Sequence, residues 1–312
     1  MPNILITGGA GFIGSSLADR LVQDSNNYIV IADSLLTGDM AKLPDPRYKN
    51  WKFVKCDVNQ YTDIAALMCA CRFDFVFHYA AVVGVQRTLS YPVMVLNDIQ
   101  GIKNVLELSK NTGVQRVFYA SSSEVYGESV SYPQDEIGTP LNSRLPYAVV
   151  KNVGESFCRS YHQEYGLDFT IFRFFNTYGP KQSPDFVVAR FIEAALADQA
   201  ITIHGDGSQS RTFCYIDDHI EATTRAFYEQ HFVNAVVNIG NDTETSVLQL
   251  AQTIIDVCGS KSPVIHIPPR KEGEMSRRVP QIDRMRSLLL HQNHISLPEG
   301  ISRIVKALRD AK

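Results

Sequence analysis

Short apolar runs alternate with longer segments of helical period along the first half of the chain. Asn3-Ile4-Leu5-Ile6-Thr7 reads as a buried strand. From Phe12 to Val22, apolar residues recur at helical spacing through Phe12, Leu17 and Leu21. Further strands are expected over Tyr28 to Ala32, Trp51 to Lys55, Phe73 to Phe77, Val114 to Ala120 and Asp168 to Arg173. The pattern also predicts a long helix from Pro92 to Lys110, interrupted only by Gly101, and another from Leu145 to Tyr165. Continuous apolar strands separated by helices imply a parallel sheet covered on both faces, a doubly wound α/β fold. After about Asn176 the elements shorten, punctuated by Tyr178-Gly179-Pro180, Gly205-Asp206-Gly207 and Pro268-Pro269. That stretch reads as a smaller α+β lobe. The expected division is 1–176 for the sheet domain, with 177–212 and 240–312 forming the lobe. Residues 213–239 are expected to return to the first sheet, through Phe213 to Ile216, a helix from Asp217 to Tyr228 and a strand from Val236 to Ile239.

Composition narrows the class. A chain of 312 residues can bury about three quarters of its unfolded surface. Its 30 basic residues face 33 acidic ones, a formal net charge of -3, which argues against an electrostatically driven nucleic-acid binder. No apolar run approaches the roughly 18 residues of a membrane-spanning helix. Met1-Pro2 leads directly into the first strand, without a charged leader or a small-residue cleavage site, so a cytoplasmic location is expected. Cys56, Cys69, Cys71, Cys158, Cys214 and Cys258 lack CxxC spacing and read as free thiols. His291 and His294 have no Cys, Asp or Glu cluster beside them, so they read as a helix end and no metal is expected.

Candidate chemistry begins at Thr7-Gly-Gly-Ala-Gly-Phe-Ile-Gly14, between the first strand and the first helix. Gly8 permits a tight turn, Gly11 lets the backbone approach a pyrophosphate, and Gly14 allows close helix–strand packing. The helix N-terminus then offers free N–H groups and a positive dipole end to the anion. The second strand leads into Asp33, nineteen residues after Gly14. An acid there accepts from ribose hydroxyls and repels a 2′-phosphate, which favours NAD over NADP. Asp57-Val58 follows the third strand; Asp57 reads either as a contact to the adenine amino group or as a helix N-cap.

Tyr147 and Lys151 lie four apart on a predicted helix and share one face. An ammonium beside a phenol stabilises the phenolate, which can move a proton to or from a sugar hydroxyl near neutral pH. That helix follows the strand ending Ala120-Ser121-Ser122-Ser123-Glu124-Val125-Tyr126-Gly127. In extended backbone Ser122 and Glu124 would point the same way and face one ligand.

These pieces resemble the extended short-chain dehydrogenase/reductase superfamily, and within it the NAD-dependent nucleotide-sugar epimerase/dehydratase family. The resemblance rests on Thr7 to Gly14, Asp33, Asp57-Val58, His78-Tyr79-Ala80-Ala81, Ser121 to Gly127 and Tyr147-x-x-x-Lys151. It continues through Arg173 to Pro180 and Gly205 to Phe213, with Asp217-Asp218 behind, and so spans nearly the whole chain. It implies a Rossmann-type sheet with a substrate-binding lobe, and a nucleotide-diphospho sugar as substrate. Phe12, Ile13 and Ala80 join the expected cofactor contacts. Tyr147 matches the base, Lys151 its partner, and Ser122 the residue that bonds the reacting hydroxyl; Glu124 joins the catalytic candidates. Asn176, Arg211 and one of Arg277 and Arg278 match residues that hold the substrate diphosphate. The placement of Arg278 two residues before Pro280 favours Arg278. In relatives, the helices equivalent to Pro92 to Lys110 and Leu145 to Tyr165 form a dimer interface, so a homodimer is expected.

The resemblance implies a 4-epimerase that passes through a 4-keto sugar. Ser123-Glu124 keeps a decarboxylase, a dehydratase or a net C4 dehydrogenase in view. Glucose-type 4,6-dehydratases carry Asp-Glu at that pair, whereas GDP-mannose-type dehydratases and UDP-glucuronate decarboxylases resemble the Ser-Glu found here. A non-catalytic dinucleotide-binding regulator is the remaining class.

Overall fold

The structure, a computed structural model, describes residues 1–128, 131–269, 277–290 and 294–310. The chain opens with β1 (Asn3–Thr7), α1 (Phe12–Leu21), β2 (Tyr28–Asp33), β3 (Trp51–Lys55), α2 (Tyr61–Cys71) and β4 (Phe75–His78). It continues through α3 (Val85–Ser90), α4 (Pro92–Leu96), α5 (Asp98–Thr112), β5 (Arg116–Ser122), α6 (Pro146–Tyr165) and β6 (Asp168–Phe174). Then come β7 (Thr177–Tyr178), α7 (Val187–Leu196), β8 (Ile201–His204), β9 (Ser210–Thr212), β10 (Cys214–Tyr215) and α8 (Ile216–Tyr228). The last elements are β11 (Ala235–Ile239), β12 (Glu244–Ser246), α9 (Val247–Cys258), β13 (Val264–Ile267), α10 (Asp283–Leu288) and α11 (Leu297–Asp310).

Seven strands form the main sheet in the order β11-β6-β5-β4-β1-β2-β3. The pairings of β1 with β2 and β4, of β2 with β3, and of β4 with β5 are all parallel. This is the Rossmann-type α/β arrangement that the apolar runs implied. Ile4, Leu5 and Ile6 of β1 are each fully buried, as a strand covered on both faces must be. From β1 the chain winds outward to β2 and β3, then returns to the other side at β4. The loop after β1 therefore lies at the topological switch point, where doubly wound sheets bind ligands.

The helix expected from Pro92 to Lys110 is two helices, and the break falls at Asn97 rather than at Gly101. Asp98 begins a new first turn, and its carboxylate accepts the Val82 N–H at 2.7 Å. Gly101 lies inside α5, where a Cβ would collide with the Asn59 side chain. Phe213 to Ile216 does not return to the main sheet. β10 pairs with β7 in a separate two-stranded sheet, while Ala235–Ile239 takes the edge of the main one.

The chain divides into two compact units. The first comprises Met1–Val125, Ser143–Arg173 and Thr223–Val237; the second comprises Tyr126–Asn142, Phe174–Ala222 and Asn238–Lys312. The expected boundary at 176 thus differs most over 126–142. Those residues belong to the second unit because their backbone pairs there. Gln134 N–H donates to the Val279 carbonyl at 2.7 Å, Gln281 N–H donates to the Gln134 carbonyl at 2.8 Å, and the Asn238 amide also bonds the Gln134 carbonyl. Residues 213–222 likewise cluster with the second unit.

Within the first unit, aromatic rings on adjacent strands stack across the sheet. The Phe77 and Phe118 centroids are 4.4 Å apart and nearly parallel, and Phe172 follows at 6.0 Å from Phe118. Phe227 meets Phe77 and Phe118 edge-on. Phe118→Ala would leave a cavity that three rings cannot collapse to fill. It is expected to lower unfolding free energy by about 3–5 kcal/mol, measured by denaturant titration.

Candidate functional site

The loop after β1 is shaped by contacts that exclude side chains. Gly8 has φ +68°, and a Cβ there would lie 2.6 Å from the Ala80 nitrogen. A Cβ at Gly14 would collide with the Gly8 carbonyl, whereas one at Gly11 would meet only that carbonyl, at 3.1 Å. Gly11 is the N-cap of α1, which has no side-chain cap and no acid in its first turn. The N–H groups of Phe12 and Ile13 belong to that first turn, where no intrahelical carbonyl can reach them. Such an end attracts an anion.

Asp33 is buried at the end of β2 and braces the same loop. Its Oδ2 accepts the Ala10 N–H at 3.0 Å and its Oδ1 the Leu35 N–H at 2.8 Å. Each carboxylate oxygen retains capacity to accept from a ligand hydroxyl. Gly38 escaped the sequence reading. A Cβ there would stand 2.7 Å from Asp33 Oδ1, so this glycine keeps the carboxylate uncrowded. Asp57 is not the N-cap of α2, which is Gln60. Its Oδ1 instead accepts the Asn59 N–H at 2.9 Å in a tight side-chain turn; Val58 beside it is buried. Ala80 N–H donates to Thr7 Oγ1 at 3.3 Å. His78 Nδ1 shares a 2.8 Å hydrogen bond with the same Thr7 hydroxyl. Burial, assisted by the Lys151 charge, pushes the His78 pKa down to about 3. It is the neutral, packed histidine that its apolar strand end implied.

Tyr147 and Lys151 occupy the first turns of α6, which starts on Pro146 at a position where a missing N–H costs nothing. Lys151 is 3% exposed. Its Nζ donates to the Ala120 carbonyl at 2.7 Å and sits 5.7 Å from the Tyr147 ring centroid and 5.3 Å from that of Tyr119. Burial pushes its pKa down to about 8, against the opposing charge of Asp98. An ammonium so close to neutrality can favour the phenolate of a neighbouring tyrosine and take part in proton movement near pH 8.

Ser122 ends β5, and the next four residues form a 3-10 turn. Ser122 and Glu124 are therefore related by a turn rather than by strand alternation, and the expectation of a shared strand face fails. The Glu124 N–H instead donates to Ser122 Oγ at 3.2 Å. That bond occupies a lone pair of the hydroxyl and leaves its proton to be donated elsewhere.

The second unit holds the other candidates around β9. Asn176 has φ +37°, a left-handed conformation that asparagine tolerates. Its Nδ2 donates to the Thr212 carbonyl at 3.0 Å. Arg211, half-buried on β9, donates to the Ser210 carbonyl at 2.7 Å. The two adjacent arginines separate cleanly. Arg277 is exposed, forms a bidentate pair with Glu244 and lies over the Tyr132 ring. Arg278 is 4% exposed. Glu244 also accepts from Ser210 Oγ at 2.9 Å, so β9 links the Asn176 side to the arginine pair. No spacing in the sequence shows that linkage.

His291 lies outside the described residues, and His294 Nδ1 stands 3.7 Å from the Asp218 carboxylate. Among the described residues, no cluster of three or more His, Cys, Asp or Glu is placed to hold a metal ion, and no helix is long and apolar enough to cross a membrane.

The depressed Lys151 pKa has a thermodynamic signature. Between about pH 8 and pH 10.5 the unfolded chain holds a proton at this lysine that the folded chain has released, so stability rises with pH across that window. Relative to Lys151→Met, the parent should gain up to about 3 kcal/mol from pH 8 to pH 10.5, read from denaturant titrations at each pH.

The chain is similar to known proteins along nearly its whole length. The chain is 33% identical over 306 residues to an uncharacterized UDP-glucose epimerase of Bacillus subtilis, covering 96% of this chain and 95% of that one. It is 32% identical over 320 residues to a UDP-N-acetyl-alpha-D-glucosaminuronate decarboxylase of Bacillus cytotoxicus, covering 98% and 97%. Among solved structures, the UDP-glucose 4-epimerase of Thermotoga maritima, determined with UDP-glucose, superposes with a TM-score of 0.92 at 30% identity and 99% coverage of both chains. The model of the NAD dependent epimerase/dehydratase family matches residues 4–240, and the chain belongs to that family of NAD-dependent enzymes.

Proposed function

We propose that the protein is a nucleotide-sugar 4-epimerase that works through a transient 4-keto intermediate. The observation that carries this reading is the seam of β5 and α6, where the buried Lys151, four residues after Tyr147, donates to the Ala120 carbonyl two residues before Ser122, and the next position is Ser123 rather than an acid. One base and one hydroxyl donor suffice for reversible oxidation at a carbinol carbon, whereas elimination of water calls for a further acid.

Bound NAD would supply the hydride acceptor. Gly8, Gly11 and Gly14 keep the loop clear, and the Phe12 and Ile13 N–H groups would meet the pyrophosphate. Asp33 would accept from the adenosine ribose, with Asp57 and Val58 assigned to the adenine end and Ala80 to the cofactor lining. The fit is supported by a cradle that a Cβ at Gly8 or Gly14 would fill. Lys151 would bond the second ribose and favour Tyr147 as phenolate. Tyr147 takes the proton of the sugar 4-hydroxyl, Ser122 donates to the same oxygen, and the proton returns when the ketone is reduced on its other face. In the second unit, Asn176, Arg211 and Arg278 are assigned to the diphosphate, which guanidinium pairs with well.

The Ser123-Glu124 pair supports a second reading, decarboxylation of a UDP-uronate, the chemistry named for the Bacillus cytotoxicus relative. Glu124 would then act as a proton-transfer group or hydroxyl anchor from its 3-10 turn. Product NMR after incubation with UDP-, GDP- and dTDP-sugars distinguishes the two readings. Inversion at C4 with only transient absorbance near 340 nm is expected; carbon dioxide release from a uronate would replace the epimerase reading. Tyr147→Phe should lower turnover by at least about 10²-fold, and unchanged turnover would overturn the mechanism.

A cytoplasmic setting and a homodimer complete the proposal. All six cysteines are free, which suits a reducing compartment. Val149, Asn152, Val153, Ser156, Phe157 and Ser160 recur at helical spacing along α6 and line a surface groove. A second copy of the chain, laying the same stripe against it, would cover these apolar side chains. Val153→Asp combined with Phe157→Asp is expected to halve the mass seen in sedimentation velocity; an unchanged mass would remove α6 from the interface.

A further inference from the structure

Three side chains recur every four residues along the sheet-facing stripe of α6: Tyr147, Lys151 and Glu155. The proposed mechanism uses the first two. Glu155 is fully buried one turn beyond Lys151, and its carboxylate collects four donors. Ser121 Oγ donates to Oε1 at 2.7 Å, and Arg173 Nε to the same oxygen at 2.8 Å. Arg173 Nη2 reaches Oε2 at 2.8 Å, and Arg159 Nη2 reaches it at 3.2 Å from the exposed side. Arg173 is itself 1% exposed. Burial raises the Glu155 pKa, but the Arg173 hydrogen bonds and charge, with Ser121 and Arg159, outweigh it and hold the group below its ordinary value.

A buried ion pair of this kind contributes little net stability over apolar packing, but it fixes geometry. The residue it grips decides what that geometry serves. Ser121 stands between Ala120, whose carbonyl holds the Lys151 ammonium, and Ser122, whose hydroxyl is the proposed substrate donor. Two residues back, on the same strand face, Tyr119 fills the space where a Cβ at Gly154 would be. Strand β5 and helix α6 are thus keyed together at two successive positions, directly beneath the proposed reacting groups.

We propose that Glu155, through its pair with Arg173 and its bond to Ser121, is the positioning residue that sets the register of α6 on β5 and so places Tyr147 and Lys151 against Ser122. The proposal rests on the catalytic reading of Tyr147 and Lys151 given above. A displacement of about 1 Å at reacting groups can lower rates by roughly 10²-fold. A displaced ammonium would also favour the Tyr147 phenolate less, so proton abstraction would require higher pH.

The double variant Glu155→Leu, Arg173→Met removes both charges and leaves an apolar contact. The expected result is a melting temperature near that of the parent, retained NAD, KM within about twofold, kcat lower by about 10²-fold and the acid limb of the kcat profile moved to higher pH. A folded double variant with parental kcat and an unmoved limb would overturn the proposal, as would activity that falls only in step with melting temperature. If the double variant does not fold, Ser121→Ala decides, since it leaves the ion pair intact. A drop of about tenfold in kcat with the same shift of the limb supports the proposal; parental values refute it. Tyr147→Phe run in parallel separates the two levels. An active Tyr147→Phe refutes the catalytic reading itself, whereas an inactive one beside a parent-like double variant refutes only the role of Glu155.

Discussion

A lysine ammonium buried between a strand and a helix is the constraint around which the first unit is arranged. Lys151 gives up most of its hydration and receives in return one carbonyl, that of Ala120, and two aromatic faces. Such a group is tolerated only where the surrounding polar atoms are already fixed. The neighbouring architecture supplies that rigidity. Phe77, Phe118 and Phe172 lock three strands face to face, and the Tyr119 ring lies beneath the lysine. Neutral His78 avoids adding a second cation. Burial in this seam depresses the lysine pKa, and the charge of Asp98 limits the fall.

The second unit places its two adjacent arginines in different surroundings. Arg277 is taken up by Glu244 and a tyrosine ring, while its neighbour Arg278 turns into the interior. The segment 126–142 matters here because the backbone of Gln134 pairs on both sides of Pro280 and so fixes the extended stretch that follows Arg278. An excursion of the chain out of the sheet after Val125 thus serves the organisation of residues more than a hundred positions later.

Much of the sheet and the cofactor loop was legible in the sequence because both depend on local patterns. β1 and β3 occupy the residues that their apolar runs predict, and Gly8 and Gly14 meet the contacts that their spacing implies. β5 was harder. Its run of apolar residues suggested an end at Ala120, but the strand continues to Ser122 because Ser121 finds a buried carboxylate on α6. The pairing of Glu155 with Arg173 escaped notice for the same reason: Arg173 stands in a matching motif without a role of its own, and Glu155 looks like a surface residue until its partner is in place. A charge on the sheet-facing stripe of α6, four residues beyond Lys151, was the available signal. The joint between Asn97 and Asp98 was hidden too, because the Asp98 carboxylate bonds a loop N–H that no periodicity reports.

The bracing of the phosphate loop by Asp33 has a consequence for how cofactor choice can change. The carboxylate assigned to the ribose is also the acceptor for the Ala10 and Leu35 amides on either side of it. A substitution that made room for an extra phosphate would leave those two amides without their acceptor, and the turn that shapes the anion site would lose its brace. On that assignment, selectivity and loop integrity are inherited together at one residue. A route to the other cofactor must first install a new partner for Ala10 before it can discard the acid.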